Sequence, residues 1–378
     1  MTYIPRTLTP RIEEAHKYYP VITITGPRQS GKSTLCRHMY PDYRYVTLES
    51  IATRSLAATD PQGFLESLGD KVILDEVQHV PELLSEIQVR VDEDRKRRYI
   101  LTGSSNFSLL RNVTQSLAGR TALFTLLPFS FKEMTESMKN VNICEIIIKG
   151  FYPGVLVDDI PPNIFYENYY NTYVERDLRD LLKVSNLLKF DAFVRMLALR
   201  VGSEFNASAL SREIGVSSVT VSEWLSLLVT SYIVFELPPY FRNQGKSLTK
   251  NKKIYFYDTG LLSHLLMIKD EMSIENNPQK GVLFENLAIS EFMKKSVTGD
   301  NNPNLYFYRE NRGIEIDLLV PTSSDTLHLY EVKAGKTLQS DYAANMKKLS
   351  SQIDGNITTT VIYNGESYPP LALNVRDI

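Results

Sequence analysis

Two kinds of apolar patterning alternate along the first 125 residues. Short runs rich in β-branched residues cover 21–25, 71–74, 98–102 and 121–124 and read as strands. Helical spacing fills stretches between them. Residues 35–39 are helix-compatible after the first strand, and 81–94 carries Leu83, Leu84, Ile87 and Val91 behind a leading proline. The run 71–76 is apolar until it ends in Asp75 and Glu76, the mark of a buried parallel strand with carboxylates at its C-terminal edge. Further on, Pro161-Pro162 marks a boundary, and a charged helical stretch spans 166–182. A capped short helix, a glycine turn at Gly215 and a second helix over 218–229 form a helix-turn-helix pattern. Strands at 232–237 and 253–257 would add a wing. The last part predicts a helix over 284–294, then strands at 306–309, 314–320 and 327–333.

These elements frame one dense motif. Gly26-Pro27-Arg28-Gln29-Ser30-Gly31-Lys32-Ser33-Thr34 sits between the first strand and the first helix, the context a phosphate-binding loop requires. Its two glycines let the backbone wrap a polyphosphate with successive N–H groups pointing inward. The following helix aims its positive end at the same charge. Lys32 would reach the β- and γ-phosphates of ATP, and the Ser33 hydroxyl would ligate Mg²⁺. Asp75 would hold that Mg²⁺ through water, and Glu76 would polarise the attacking water. Ser104, with Asn106 behind it, stands where a strand tip senses the γ-phosphate, unless these residues only cap the next helix. Arg120, before the strand at 121–124, would complete a nucleotide site in cis or from a neighbour, or else make a surface salt bridge.

Composition adds limits. At 378 residues the chain suits two or three domains, with expected lines at 1–160, 161–250 and 251–378. A net charge of −2 leaves no global basic field, so contact with DNA must use local patches. Two cysteines, Cys36 and Cys144, fit a reducing cytoplasm rather than a disulfide framework. No window holds the ~20 apolar residues of a membrane span.

The phosphate loop, the Leu-Asp-Glu strand end (74–76), Leu101-Thr102-Gly103-Ser104-Ser105, Leu117-Ala118-Gly119-Arg120 and Leu127-Pro128-Phe129-Ser130-Phe131 together resemble the AAA+ ATPases. More narrowly they resemble the bacterial and archaeal subgroup with a C-terminal DUF4143 domain. Tyr173-Val174-Glu175-Arg176-Asp177, Tyr257-Asp258-Thr259-Gly260-Leu261-Leu262 and Gly281-Val282-Leu283-Phe284-Glu285-Asn286 extend the resemblance across the chain. It implies an α/β fold with a parallel αβα nucleotide-binding core, and Glu175, Arg176 and Asp177 would relay nucleotide state or simply face solvent.

The helix-turn-helix and wing read as a winged helix. Residues 216–230 hold no Lys or Arg and do hold Glu223, so base readout is poor there. Arg242, Lys246, Lys250, Lys252 and Lys253 place the cations in the wing, favouring backbone contact. In the last domain, Glu331 and Lys333 share a strand face, and Asp317 lies at a hairpin distance before them. Two carboxylates and a lysine so placed, with Glu285 from the preceding helix, are similar to a PD-(D/E)xK restriction-endonuclease-like site, where acids hold a second Mg²⁺ or Mn²⁺. Ile316 stands where that family's pattern has proline. Three readings follow: an ATPase whose nucleotide state controls DNA engagement and cleavage, a DNA-binding regulator without cleavage, or a switch that binds protein partners or itself.

Overall fold

The computed structural model describes residues 3–104, 116–134, 138–177, 187–240, 251–299, 304–310, 313–323, 325–353 and 355–378. Ser105, Asn106, Arg242, Lys246 and Lys250, and the side chains of Glu175, Arg176 and Asp177, lie outside the described residues. Contacts divide the chain into two compact units. One is Tyr3–Pro128 with Thr230–Tyr232; the other is Phe129–Val229 with Ile233–Ile378.

In the first unit, β1 (Val21–Thr25), β2 (Arg44–Thr47), β3 (Lys71–Asp75), β4 (Arg98–Thr102) and β5 (Thr121–Thr125) form a parallel sheet in the order β2-β3-β4-β1-β5. The strand pleat sorts the apolar runs into two cores. Val72, Leu74, Tyr99 and Leu101 enter one, against Phe64 and Leu65 of α3 (Pro61–Leu68) and Leu84 and Ile87 of α4 (Glu82–Glu93). Ile22, Ile24, Ile73 and Ile100 enter the other, with Ile12 of α1 (Thr9–Tyr18) and Leu35 and Cys36 of α2 (Lys32–Met39). Apolar residues at consecutive positions are what a sheet covered on both faces demands. The order also lays β4 between β1 and β3, so three strand ends meet at one edge.

In the second unit, the helix Thr259–Leu265 is capped by Asp258, whose carboxylate accepts the amides of Leu261 (2.9 Å) and Phe151 (2.7 Å). The Tyr166 ring lies where any Cβ on Gly260 would stand, 2.4 Å away. The Tyr-Asp-Thr-Gly stretch is thus used for packing. The helices Ala207–Ile214 and Ser218–Thr230 turn at Gly215 (φ 73°). β6 (Val234–Leu237) pairs antiparallel with β7 (Lys253–Phe256). The expected strand at 232 starts two residues later because Tyr232 adopts a left-handed φ of 55°. The expected line at 250 falls between β6 and β7, which pair with each other.

After the helix Lys280–Thr298, which extends beyond its expected limits at both ends, β8 (Tyr306–Arg309), β9 (Glu315–Pro321) and β10 (Thr326–Lys333) form an antiparallel meander. The helix Ala344–Ser350 then leads to β11 (Asn356–Tyr363), parallel to β10, and β12 (Ala372–Asn374) closes the order β12-β11-β10-β9-β8. Asn286, fully buried in the long helix, bonds β7 in both directions. It accepts the Phe256 amide at 2.8 Å and donates to the Phe256 carbonyl at 3.1 Å. Asn286→Ala orphans both backbone groups, each worth roughly 1–3 kcal/mol when buried. Urea titration should show a loss of about 2–6 kcal/mol for the two groups together.

Candidate functional site

Between β1 and α2 the chain closes a tight loop with left-handed φ values at Gln29 (61°) and Gly31 (92°), and Gly26 at 140°. A Cβ on Gly26 would lie 2.2 Å from the Leu126 carbonyl oxygen, so only glycine passes there. The buried Arg6 braces the loop by donating to the carbonyls of Ser30 (2.9 Å) and Leu127 (2.6 Å). Lys32, only 6% exposed, donates to the carbonyls of Gly26 (3.0 Å) and Pro27 (2.8 Å). Burial lowers its pKa, against the pull of Glu76 and Asp75. It makes no ion pair among the described residues, and the buried Ser30 hydroxyl has no hydrogen-bond partner there. Arg28 is half-buried, while Gln29 and Thr34 are exposed.

Asp75, at the end of β3, gathers three hydroxyls. Ser33 donates to Oδ2 at 2.9 Å, Tyr45 to the same oxygen at 2.6 Å, and Thr102 to Oδ1. The next residue, Glu76, has a left-handed φ of 57°. Its carboxylate accepts the Ser104 amide (3.1 Å) and the Gln78 amide side chain, which also donates to the Ser104 hydroxyl (3.2 Å). The structure therefore brings together Lys32, Ser33, Asp75, Glu76 and Ser104. Sequence reasoning missed Arg6, Tyr45, Gln78 and Thr102. Only Gln78 and Thr102 carried a signal, standing beside Glu76 and Ser104.

Arg120 makes the surface salt bridge expected as its alternative. Its carbonyl accepts the Val21 amide, so it precedes β5 at the edge where β1 begins, and the phosphate loop follows the other end of β1. Five strand residues, roughly 16 Å at ~3.3 Å each, intervene. Its guanidinium forks onto Asp92 at 2.7 and 2.8 Å. It does not complete this chain's own loop.

The C-terminal acids also meet. Asp317 accepts the Val332 amide at 2.8 Å, just past the last regular β9–β10 pair at Leu318 and Tyr330. Lys333 reaches Glu331 Oε1 at 2.8 Å. Glu331 is 5% exposed, and its buried Oε2 has no hydrogen-bond partner among the described residues. Burial, with Asp317 nearby, pushes both Glu285 and Glu331 up to about 7; burial raises Asp317 as well. Two further residues belong here. Lys253, expected as an open wing cation, is buried, 2.8 Å from Glu315 and 3.7 Å from Glu285. Among the described residues, no three acid, histidine or cysteine side chains gather as a metal ion requires. As they stand, these acids do not fit a metal.

Comparison with known proteins finds three family models along the chain. Residues 18–135 match the family model described as an AAA domain, and 280–376 match a domain of unknown function, DUF4143. Residues 140–272 match another, DUF8612. An uncharacterized protein of Mycobacterium bovis is 29% identical over 375 residues, 97% of this chain and 81% of that one. One of Methanocaldococcus jannaschii is 23% identical over 94% and 84% of the two chains. The Walker-type ATPase paby2304 of Pyrococcus abyssi aligns with a TM-score of 0.46 at 17% identity, over 70% of this chain and 96% of that one. The chain carries an AAA-type ATPase domain followed by a C-terminal DUF4143 domain. No helix among the described residues is long and apolar enough to cross a membrane.

The raised acids set a pH dependence. A carboxyl lifted from 4.5 to about 7 by folding contributes stability that is whole below 4.5 and lost as pH rises through about 7. Glu331→Gln removes one such group. In thermal melts between pH 5 and 8 it should gain on the wild type as pH rises; parallel curves would contradict the assignment.

Proposed function

We propose that this protein is a Mg²⁺-dependent ATP hydrolase whose nucleotide state governs how its second unit engages DNA. The contact between Ser33 and Asp75 carries the first half, because it sets a phosphate-loop hydroxyl against the acid at the end of β3. Mg²⁺ is usually held by one or two protein oxygens plus phosphate oxygens, and this pair fits that mode. When bound, it neutralises charge on the β- and γ-phosphates. Loop amides and the start of α2 hold the phosphates, and Lys32 exchanges its own loop's carbonyls for them. Glu76 polarises the attacking water, while Gln78 and the Ser104 amide fix its carboxylate.

The second half rests on two readings of the second unit. Residues 206–256 support a winged helix through their helix–turn–helix and the β6–β7 pair. Residues 280–363 support a restriction-endonuclease-like domain. They run helix, β8-β9-β10 meander, helix, then parallel β11, with Glu285, Asp317, Glu331 and Lys333 close together. Among the described residues no three of these acids are placed to share one metal ion, which leaves no cleavage step. A protein-interaction switch is the second reading. Of the expected wing cations that are described, Lys252 is paired with Glu236 (2.5 Å) and Lys253 is internal. A cytoplasmic setting belongs to the same proposal, supported by two buried free thiols, Cys36 and Cys144.

Lys32→Ala should lose ATP binding in a filter assay. Glu76→Gln should bind ATP normally and turn it over roughly 10²–10⁴-fold more slowly, the span of general-base catalysis. Normal turnover in Glu76→Gln would overturn its role. Salt-sensitive retention of duplex DNA that differs between ATP and ADP would favour the first reading of the second unit, and no retention at low salt the other.

A further inference from the structure

We infer that the second unit holds a binding site for a small amphiphilic acid, an apolar body carrying one carboxylate, in a cleft between the helices Pro162–Tyr169 and Thr259–Leu265. The cleft encloses about 540 Å³, within the range of small-molecule sites. None of its residues belongs to the phosphate loop or to the C-terminal acid cluster. A tight contact fixes one wall. Tyr166 is buried, donates its hydroxyl to the Lys149 carbonyl at 2.9 Å, and lies against Gly260, where no Cβ fits. Ile148, Pro162, Met267 and Ile268 add apolar surface.

The polar groups lining the cleft are not used up by the fold. Arg195 engages Asp191 through Nε alone, at 3.0 and 3.2 Å, so its terminal nitrogens make no hydrogen bond among the described residues. The exposed Lys269 makes no ion pair among them. Burial, with Arg195 nearby, lowers the pKa of the half-buried His264, which is therefore neutral near pH 7. A planar guanidinium with its terminal nitrogens open matches a carboxylate. Glu167, in the same lining, repels a second negative charge, which restricts the ligand to a monoanion.

Met267 is an independent sign. The helix Thr259–Leu265 ends in a Schellman turn, with the Met267 amide on the His264 carbonyl (3.0 Å) and the Ile268 amide on the Ser263 carbonyl (2.9 Å). The left-handed position of that turn usually holds glycine. Here it holds Met267, at a φ of 59° and 74% exposed. Glycine would serve the turn without strain. What methionine adds is a flexible apolar side chain at the mouth of the cleft.

Ligand-observed NMR on the full chain tests this with octanoate and naphthoate, a flexible and a flat apolar body, against their neutral counterparts octanol and naphthamide. At least one acid should bind saturably and about tenfold more tightly than its neutral counterpart, as a charge-assisted hydrogen bond implies. Which acid binds tells a chain from a ring. Arg195→Gln should remove the preference for the acid, and Lys269→Met should reduce it. Met267→Gly should melt no lower than the wild type yet bind the acid more weakly, which keeps the test available if Arg195→Gln does not fold. Saturable binding of neither acid overturns the inference, as does equal binding of acid and neutral counterpart. Acid binding unchanged in both Arg195→Gln and Met267→Gly lies elsewhere on the protein and overturns it too.

Discussion

The carboxylate of Asp75 is the point on which the first unit depends. Hydroxyls from α2, β2 and β4 converge on its two oxygens, through Ser33, Tyr45 and Thr102. Each hydroxyl replaces part of the water that a carboxylate loses on burial. The parallel sheet makes this possible. With β4 between β1 and β3, the loop after β1 and the acids after β3 are separated by one strand, whose tip supplies Thr102 and Ser104. A different strand order would scatter the same side chains.

The second unit handles buried charge in the opposite way. Its C-terminal acids are buried beside one another, and burial together with Asp317 raises Glu285 and Glu331 to about 7. Lysines do the balancing there. Lys253 serves Glu315 and Glu285, Lys333 serves Glu331, and Lys294 serves the buried Glu291 at 2.6 Å. Lysine is a compact, strongly hydrated charge, so burial of Lys253 at 3% exposure needs the carboxylates of Glu315 and Glu285 beside it.

Local patterns were legible in the sequence, and partners from distant positions were not. The phosphate loop, the acid-ended β3 and the three-strand meander are contiguous, and each appeared within a residue or two of its expected limits. Arg6 and Tyr45 could not be found that way, because nothing near them in the chain refers to a phosphate. Lys253 was read as a wing cation because its strand pattern is sound; Glu285 of the helix Lys280–Thr298 and Glu315 and Phe307 of the C-terminal sheet, all distant in the chain, surround it. Arg120 shows a different limit. A residue next to a strand is assigned to an edge only when the strand's direction in the sheet is known, and parallel pairing with β1 sets Arg120 at the start of β5.

Asn286 and Glu285 are adjacent, yet one grips backbone and the other grips charge. In a strand, a slip of one residue reverses every side chain, so β7 cannot shift slightly against the helix. A single step would carry Lys253 and Tyr255 off Glu285 and bring Lys252 and Ile254 to that face. The two elements therefore share a digital interface: hairpin and helix stay in one register or part altogether, and no graded loosening connects the two conditions.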